Sequence, residues 1–335
     1  MHQMTPPLSP NGTVLHATTA FRTVLAHDAD ELARHLTGWE QSYDQLSTGH
    51  FRGALEELHL PHMQVFHENI SHSVRQSCRI RSGELWFGFQ NHPACSRING
   101  RPGGPEGVMI RAGNDEFELL TPPGHDIYGI VASRELLTKT ALQSGYVIDW
   151  NELESAEVLQ VSAPERAGCV RTLGALIGLQ QQASGSAEWL QHGQSAVLAA
   201  LLNLLDKSVL EPAVTASFQR RQAVVAKVRR YLLAHHDHTL TVEHLCEQVH
   251  VSRRTLQYCF EDVLGISPMQ YLRRMRLNGV RRQLLDPVAP LQSIGELAAD
   301  WGFGSFSQFS SDYRKLFGAS ASASVKSMAG NKLIS

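Results

Sequence analysis

The sequence has few of the features that mark secreted, membrane-spanning or zinc-binding proteins. Its five cysteines among 335 residues are scattered and form no Cys-x-x-Cys pair, which excludes the common zinc and redox motifs. No run of about 18 uncharged apolar residues occurs, so no transmembrane helix is predicted. Residues 1–12 lack the basic and apolar segments of a secretory signal. We therefore expect a cytoplasmic protein with reduced thiols and no membrane partner.

Short catalytic and nucleotide-binding motifs are also missing. The sequence contains no Gly-x-Ser-x-Gly, phosphate-loop or dinucleotide-binding glycine pattern. Histidines are numerous, at 17, but on a predicted strand His62 points away from the face shared by His59 and His67. A metal site needs about three ligands that converge. We therefore predict no catalytic residue, no metal and no cofactor.

Charge divides the chain near residue 218. Residues 219–335 contain 16 basic and 9 acidic residues, a net charge of +7, whereas residues 1–218 contain 14 and 23, a net charge of −9. A chain of 335 residues is long enough for two domains. The asymmetry indicates a basic domain that faces a polyanion, joined to an acidic domain without that role.

The segment from residue 58 to residue 133 alternates short apolar runs with Gly, Pro and Asn clusters, a spacing that predicts a small antiparallel sandwich or barrel. Leu85, Phe87 and Phe89 share one face, where they either line an apolar effector pocket or belong to the core.

Two helical segments follow the predicted strands, at residues 166–182 and 187–205, and a linker is predicted at 208–218. The second segment carries a leucine stripe that must pack either on its own domain or on a twin helix of a homodimer. Both interpretations are open at this point. The dimer hypothesis places Leu198 and Leu202 at the subunit interface.

A first helix-turn-helix unit is predicted at residues 242–265. Apolar spacing gives its first helix one buried face, and Ser252 is a good N-cap for a second helix that ends at Gly265. The outer face of this second helix carries residue types that contact bases, because Arg can bind guanine and Gln adenine in the major groove. The predicted DNA-binding residues are Arg253, Arg254, Gln257 and Tyr258.

The same pattern returns at residues 293–318. Ser293-x-x-Glu296 is a capping box, and Ser305 caps a second helix with aromatic residues, Phe306 among them, expected on its inner face. Gln308 has two possible uses, because Ser305-x-x-Gln308 is itself a capping box. The predicted DNA-binding residues of this helix are Ser307, Gln308, Ser310 and Ser311.

A helix that begins at Ser267-Pro268 and ends near residue 285 is predicted to join the two units into one core. Its arginines are expected on the outside, where they either contact phosphates or form a solvated face. Phosphate contacts are assigned to Arg274 and, in the second unit, to Arg314 and Lys315.

These motifs resemble the DNA-binding domain of the AraC/XylS family. Ala321 stands where the family usually has proline, which leaves the start of the last helix open. Details around Arg276-Leu277-Asn278 and Ser307-Gln308-Phe309 are similar to ethanolamine-operon regulators. The resemblance is carried by Ser252-x3-Leu256-x3-Phe260-x4-Gly265-x-Ser267-Pro268, Ile294-x2-Leu297-Ala298, Gly302-Phe303 and Ser307-x-Phe309-x3-Tyr313-x3-Phe317-Gly318.

The resemblance implies an α+β chain, in which a cupin-like β-barrel with helices precedes an all-α domain with two helix-turn-helix units. The barrel would bind a small effector and help form a homodimer. The expected boundaries are a weakly ordered N-terminus at 1–20, a sensor and dimerisation domain at 21–207, a linker at 208–218, a DNA-binding domain at 219–322 and a tail at 323–335.

The implied function is that of an effector-responsive transcriptional activator that binds successive major grooves of double-stranded DNA and acts on RNA polymerase. The alternative is a metal- or thiol-dependent enzyme fused to a DNA-binding domain.

Overall fold

The computed structural model describes residues 20–91, 96–113, 115–180, 186–210, 214–234, 240–286, 288 and 292–331. Within these ranges a sheet-rich N-terminal part precedes a C-terminal part that is entirely helical. The expected weakly ordered N-terminus falls almost wholly outside the described residues. No helix in the described ranges is both long and apolar enough to cross a membrane.

The N-terminal part is built from thirteen strands and five helices among the described residues. The strands are β1 (Phe21–Ala26), β2 (Glu40–Gln45), β3 (Gly53–Leu60), β4 (Met63–Ile70), β5 (Val74–Arg79), β6 (Glu84–Gln90), β7 (Arg97–Ile98), β8 (Arg101–Pro102), β9 (Val108–Ala112), β10 (Phe117–Thr121), β11 (His125–Ser133), β12 (Val158–Gln160) and β13 (Val209–Leu210). The helices are α1 (Ala29–Ala33), α2 (Arg134–Gln143), α3 (Trp150–Ser155), α4 (Ala163–Gln180) and α5 (Ala187–Asp206).

The strands form two antiparallel sheets, which agrees with the sandwich of the two alternatives that the spacing predicted and not with the closed barrel that the resemblance implied. One sheet has the order β1-β3-β4-β11-β6-β9-β12-β13, and the other has the order β2-β5-β10-β7-β8. Among the described residues no strand of one sheet pairs with a strand of the other. The first strand also begins at Phe21, well before the predicted start at residue 58.

An aromatic layer fills the space between the sheets. Trp86 of β6 and Phe117 of β10 stack with ring centroids 5.3 Å apart, and the edge of Trp39 contacts both rings. Aromatic side chains bury a large apolar area per residue, so this layer stabilises the sandwich.

The second apolar layer lies on the other face of the eight-stranded sheet, against α4 and α5. Because side chains alternate along β6, Leu85, Phe87 and Phe89 point into this layer while Trp86 points between the sheets. The three residues proposed for an effector pocket are thus packed between the sheet and the helices.

The leucine stripe of α5 packs in the same layer. Leu198 is 4% exposed and Leu202 is 1% exposed within the single chain. Of the two interpretations of this stripe, the structure therefore supports packing on its own domain. The assignment of Leu198 and Leu202 to a dimer interface is corrected, because their surface is already used inside the chain.

The C-terminal part has seven helices in the described ranges. They are α6 (Ala216–Ala234), α7 (Val242–Val249), α8 (Arg253–Leu264), α9 (Pro268–Leu285), α10 (Ile294–Asp300), α11 (Phe306–Phe317) and α12 (Ala321–Asn331). The predicted linker is shorter than expected, because β13 pairs with β12 at its start and α6 begins at Ala216. The expected tail is helical through Asn331, and its helix begins at Ala321 despite the missing proline.

Because the leucine stripe is buried within the chain, we predict that its substitution affects the stability of the fold and not the association of subunits. Leu202→Ala should lower the free energy of unfolding by about 2–5 kcal/mol, because it opens a cavity in a packed core. The control is Ala199→Glu on the exposed side of α5, which should change it by less than about 0.5 kcal/mol. Denaturant unfolding and sedimentation are the measurements. A Leu202→Ala protein of unchanged stability but altered mass in solution would instead place the stripe between subunits.

Candidate nucleic-acid interface

The first helix-turn-helix unit consists of α7 and α8. His250 ends α7 in the left-handed conformation, with φ at 55°, and turns the chain. The hydroxyl of Ser252 then accepts a hydrogen bond from the backbone N–H of Thr255 at 3.1 Å, which caps α8 as predicted. Gly265 ends α8 with a φ of 71°, a conformation that suits glycine.

The four predicted residues on the outer face of α8 differ in exposure and in the partners of their side chains. Arg253, Arg254 and Tyr258 are exposed, whereas Gln257 is half-buried and donates to Glu261 at 2.5 Å. Arg253 forms an ion pair with Glu243 of α7 at 2.9 Å. Among the described residues Arg254 has no ion-pair partner, so it is the most available cation of this face.

The second unit consists of α10 and α11. The hydroxyl of Ser305 accepts from the N–H of Gln308 at 3.3 Å, and the side chain of Gln308 donates to Asp312 at 3.1 Å. Ser307, Gln308 and Ser311 are exposed, and Ser310 is half-buried.

Arg314 and Lys315 are both exposed on the same side of α11. With Phe306, Ser307, Ser310 and Ser311 they line a shallow open groove along the helix. The predicted DNA-contacting side of α11 therefore combines hydroxyls with two cations.

One aromatic of α11 was assigned to the wrong face. Phe306 was expected in the core but is 55% exposed, because it occupies the first position of the helix and its ring lies at the rim of the groove. Leu316 is buried in its place, beside Phe309 and Tyr313.

Helix α9 joins the two units by close contact. Gly279 lies directly under the indole ring of Trp301, which follows α10, and a Cβ at this position would be 2.0 Å from that ring. The indole nitrogen of Trp301 donates to Gln283 at 3.1 Å, which holds the ring in place. Arg274 is half-buried on α9, and burial lowers its pKa.

Two other arginines of α9 are not on the outside as expected. Arg281 pairs with Asp28, and Arg282 pairs with Asp44 and, at 3.4 Å, with Asp30. All three carboxylates belong to the N-terminal domain, and they raise the pKa of Arg281 and Arg282. The excess of acidic residues in 1–218 is the sequence feature that could have predicted these ion pairs between the two domains.

The N-terminal domain is rich in histidine, the commonest metal ligand among side chains. His67 lies between Glu56 and Asp126, at 3.1 Å from each, and stacks on Tyr128. In the described ranges no group of three or more His, Cys, Asp or Glu side chains is arranged to hold a metal ion. The contacts of His67 are thus two carboxylate pairs and a ring stack, whereas His72 and His125 are hydrogen-bonded to the hydroxyls of Ser71 and Ser96.

Comparisons with known proteins single out the C-terminal part. Residues 245–327 match a family model described as a helix-turn-helix domain. The chain is 35% identical over 98 residues to a probable thc operon regulatory protein of Rhodococcus erythropolis, which covers 29% of this chain and 30% of that protein. It is 26% identical over 151 residues to a XylDLEGF operon transcriptional activator of Pseudomonas putida, which covers 45% and 46%.

These alignments span less than half the length of either relative. Among solved structures, the AraC-like transcriptional activator CuxR aligns with 77% of this chain and 94% of its own length at 15% identity and a TM-score of 0.42.

The contact of Gly279 with Trp301 predicts that the joint between α9 and the second unit tolerates no methyl group. Gly279→Ala should lower the free energy of unfolding by about 1–3 kcal/mol, because the indole ring must move out of its packed position. Gly295→Ala on α10 is the matched control, since its nearest heavy atom would be 4.0 Å away. Thermal unfolding of both variants is the measurement, and equal stability of the two would contradict this account of the joint.

Proposed function

We propose that this chain is a sequence-specific DNA-binding transcriptional regulator of the AraC/XylS family, which is supported by the match of its C-terminal part to a helix-turn-helix family model and by its similarity to a transcriptional activator. One observation carries the proposal. Helices α8 and α11 each expose their first three residues, while the last two residues of each are buried in the protein. Recognition helices of this kind contact base edges with their N-terminal residues, and two of them fit successive major grooves about 34 Å apart.

The side chains divide into two kinds of DNA contact. Arg254 and Gln257 would contact base edges, because Arg and Gln can each form two hydrogen bonds to one base in the major groove. Hydroxyls discriminate bases less well, so Ser307, Ser310 and Ser311, with Gln308, would add weaker preference. Arg274, Arg314 and Lys315 would contact phosphates, with Arg253 and Tyr258 at the edge of the site.

The N-terminal domain would be a cupin-like sensor for a small effector, supported by two antiparallel sheets that enclose a core. Activation, and hence contact with RNA polymerase, is supported by the similarity to a protein described as a transcriptional activator. A homodimer would have to form through a surface other than the buried leucine stripe. The site of action would be the cytoplasm.

The enzyme alternative finds no support. The relatives are described as regulators rather than enzymes. A thiol-dependent reaction needs a thiolate, which a lowered pKa provides, yet burial raises the pKa of Cys169 to about 12 and that of Cys78 well above its usual value. The pKa values of Cys246 and Cys259 are raised as well.

The experiment that tests the function is selection of bound sites from random-sequence duplex DNA with the full chain. A regulator of this kind should enrich a motif with two parts on one side of the duplex. Enrichment of no motif would contradict the proposal.

A prediction about base contacts follows from the difference between the two arginines of α8, since among the described residues Arg253 is ion-paired and Arg254 is not. Arg254→Ala or Gln257→Ala should weaken binding to the selected site by about 1–3 kcal/mol and relax the preference at one or two base pairs. Arg253→Ala is the comparison on the same turn, and it should have a smaller effect because Arg253 is paired with Glu243. Binding to single-base variants of the site is the measurement. Equal losses on selected and scrambled DNA would show that α8 only positions the protein.

A second prediction concerns phosphate contact by α11. Lys315→Ala should weaken binding to all sequences alike and reduce the slope of log affinity against log salt by about 1. Lys139→Ala removes an exposed lysine of the N-terminal domain and should leave the slope unchanged. Titrations at several salt concentrations provide the slopes. An unaltered slope for Lys315→Ala would remove Lys315 from the interface.

A further inference from the structure

The C-terminal ends of both recognition helices are held by side chains and backbone of the N-terminal domain. Arg97 of β7 donates to the carbonyl oxygen of Asp262 in α8 at 2.9 Å. The side chain of Gln45 and the backbone N–H of Gly49 donate to the carbonyl oxygen of Leu316 in α11, at 2.8 and 3.0 Å. Carbonyls in the last turn of a helix have no partner within the helix. The N-terminal domain therefore supplies caps to α8 and α11 together.

A third contact holds the helix between them. Asn278 of α9 is 5% exposed, and its amide pairs with both backbone groups of Gln45. The N–H of Gln45 donates to Asn278 at 2.9 Å, and the amide nitrogen of Asn278 donates back to the Gln45 carbonyl at 3.0 Å. Gln45 thus contacts α9 through its backbone and α11 through its side chain.

Buried charges connect the same sheet to two further helices of the C-terminal domain, α6 and α9. Arg75 of β5 is 2% exposed and lies between two carboxylates, pairing with Asp44 at 2.9 Å and with Glu118. Asp44 also pairs with Arg282 of α9, and Glu118 pairs with Arg229 of α6 at 3.0 Å. Alternating charges thus run from α9, through the five-stranded sheet, to α6.

Such contacts fix geometry more strictly than apolar packing does. Hydrogen bonds weaken steeply when their angles change, and a buried ion pair that loses one partner is strongly destabilised. A shift of the second unit relative to the sheet would break both hydrogen bonds to Leu316, and a shift of the first unit would break the bond from Arg97 to Asp262.

We propose that the five-stranded sheet is a brace that fixes the relative position of α8 and α11, and so determines which spacing between the two parts of a DNA site this chain accepts. Gln45, Arg97 and Asn278 are positioning residues in this scheme, and they do not touch DNA. The proposal rests on the proposed function, because spacing has meaning only for a protein that binds two adjacent grooves. In the opposing view, α9 alone sets the spacing.

The first test measures the brace itself, without DNA. In the full chain, Asn278→Ala should speed amide hydrogen exchange at Gln45 by about tenfold or more, because the N–H of Gln45 loses the side-chain oxygen of Asn278 as its acceptor. Arg79→Gln is the control on β5, since it removes an exposed ion pair with Glu40 on the N-terminal domain alone. Exchange that is unchanged in Asn278→Ala would overturn the brace.

The second test measures spacing. On the site selected by the wild-type chain, one base pair is inserted or removed between the two parts of the motif, which shifts one part by about 3.4 Å along the duplex. Wild type and Arg79→Gln should lose affinity sharply, whereas Asn278→Ala and Arg97→Gln should lose about tenfold less. Discrimination equal to wild type in both brace variants would show that α9 alone sets the spacing, and the proposal would be wrong.

The outcomes of the two tests distinguish a failure of the brace from a failure of the proposed function. A wild-type chain that selects no DNA site contradicts DNA binding, while the exchange measurement still decides whether the brace exists. Circular dichroism of each variant checks folding, and Arg97→Gln decides the spacing test if Asn278→Ala does not fold, because Arg97 is only half-buried.

Discussion

The buried guanidinium of Arg75 is the constraint on which the arrangement of the chain depends. Removal of an unpaired charge from water is very unfavourable, so a buried arginine persists only with carboxylates around it. Asp44 on β2 and Glu118 on β10 supply them from the two neighbouring strands. These carboxylates are themselves buried, and Arg282 and Arg229 of the helical domain complete their shell. The sheet therefore keeps its charge balance only with the helical domain in contact.

The surface between the two domains, called the seam below, also contains apolar contacts. Leu120 packs among the core of the first unit, and Gly100 lies so close to Val263 that a Cβ there would be 2.4 Å from that side chain. Interfaces between domains that are small or polar usually permit relative motion. Here the directionality of the hydrogen bonds opposes sliding, whereas a complete separation would return the charges to water.

The helical domain was predictable because its signals are local. Ser252 and Ser305 cap the helices where the sequence indicated, and Gly265 and Gly318 end them in the left-handed conformation. The strands of the five-stranded sheet were harder to predict from the sequence. The strands β2 and β5 read Glu-Gln-Ser-Tyr-Asp-Gln and Val-Arg-Gln-Ser-Cys-Arg, which have no apolar alternation. Their polar residues are buried through partners distant in sequence, and no local pattern reports such partners. Phe306 was misplaced for a related reason, because periodicity does not reveal where the first turn of a helix meets solvent.

The positive charge of a domain is also not the same as the charge available to DNA. Residues 219–335 carry a net charge of +7, yet Arg229, Arg281 and Arg282 are paired with carboxylates of the N-terminal domain. Those arginines cannot displace counterions from phosphates while they are paired, so the salt dependence of binding reports only the remaining cations. Under the proposed function, docking and DNA would draw on the same basic surplus from different sides of the helical domain. The ion pairs at the seam would therefore reduce non-specific attraction to DNA, and under the proposed brace they would also hold the two units in place.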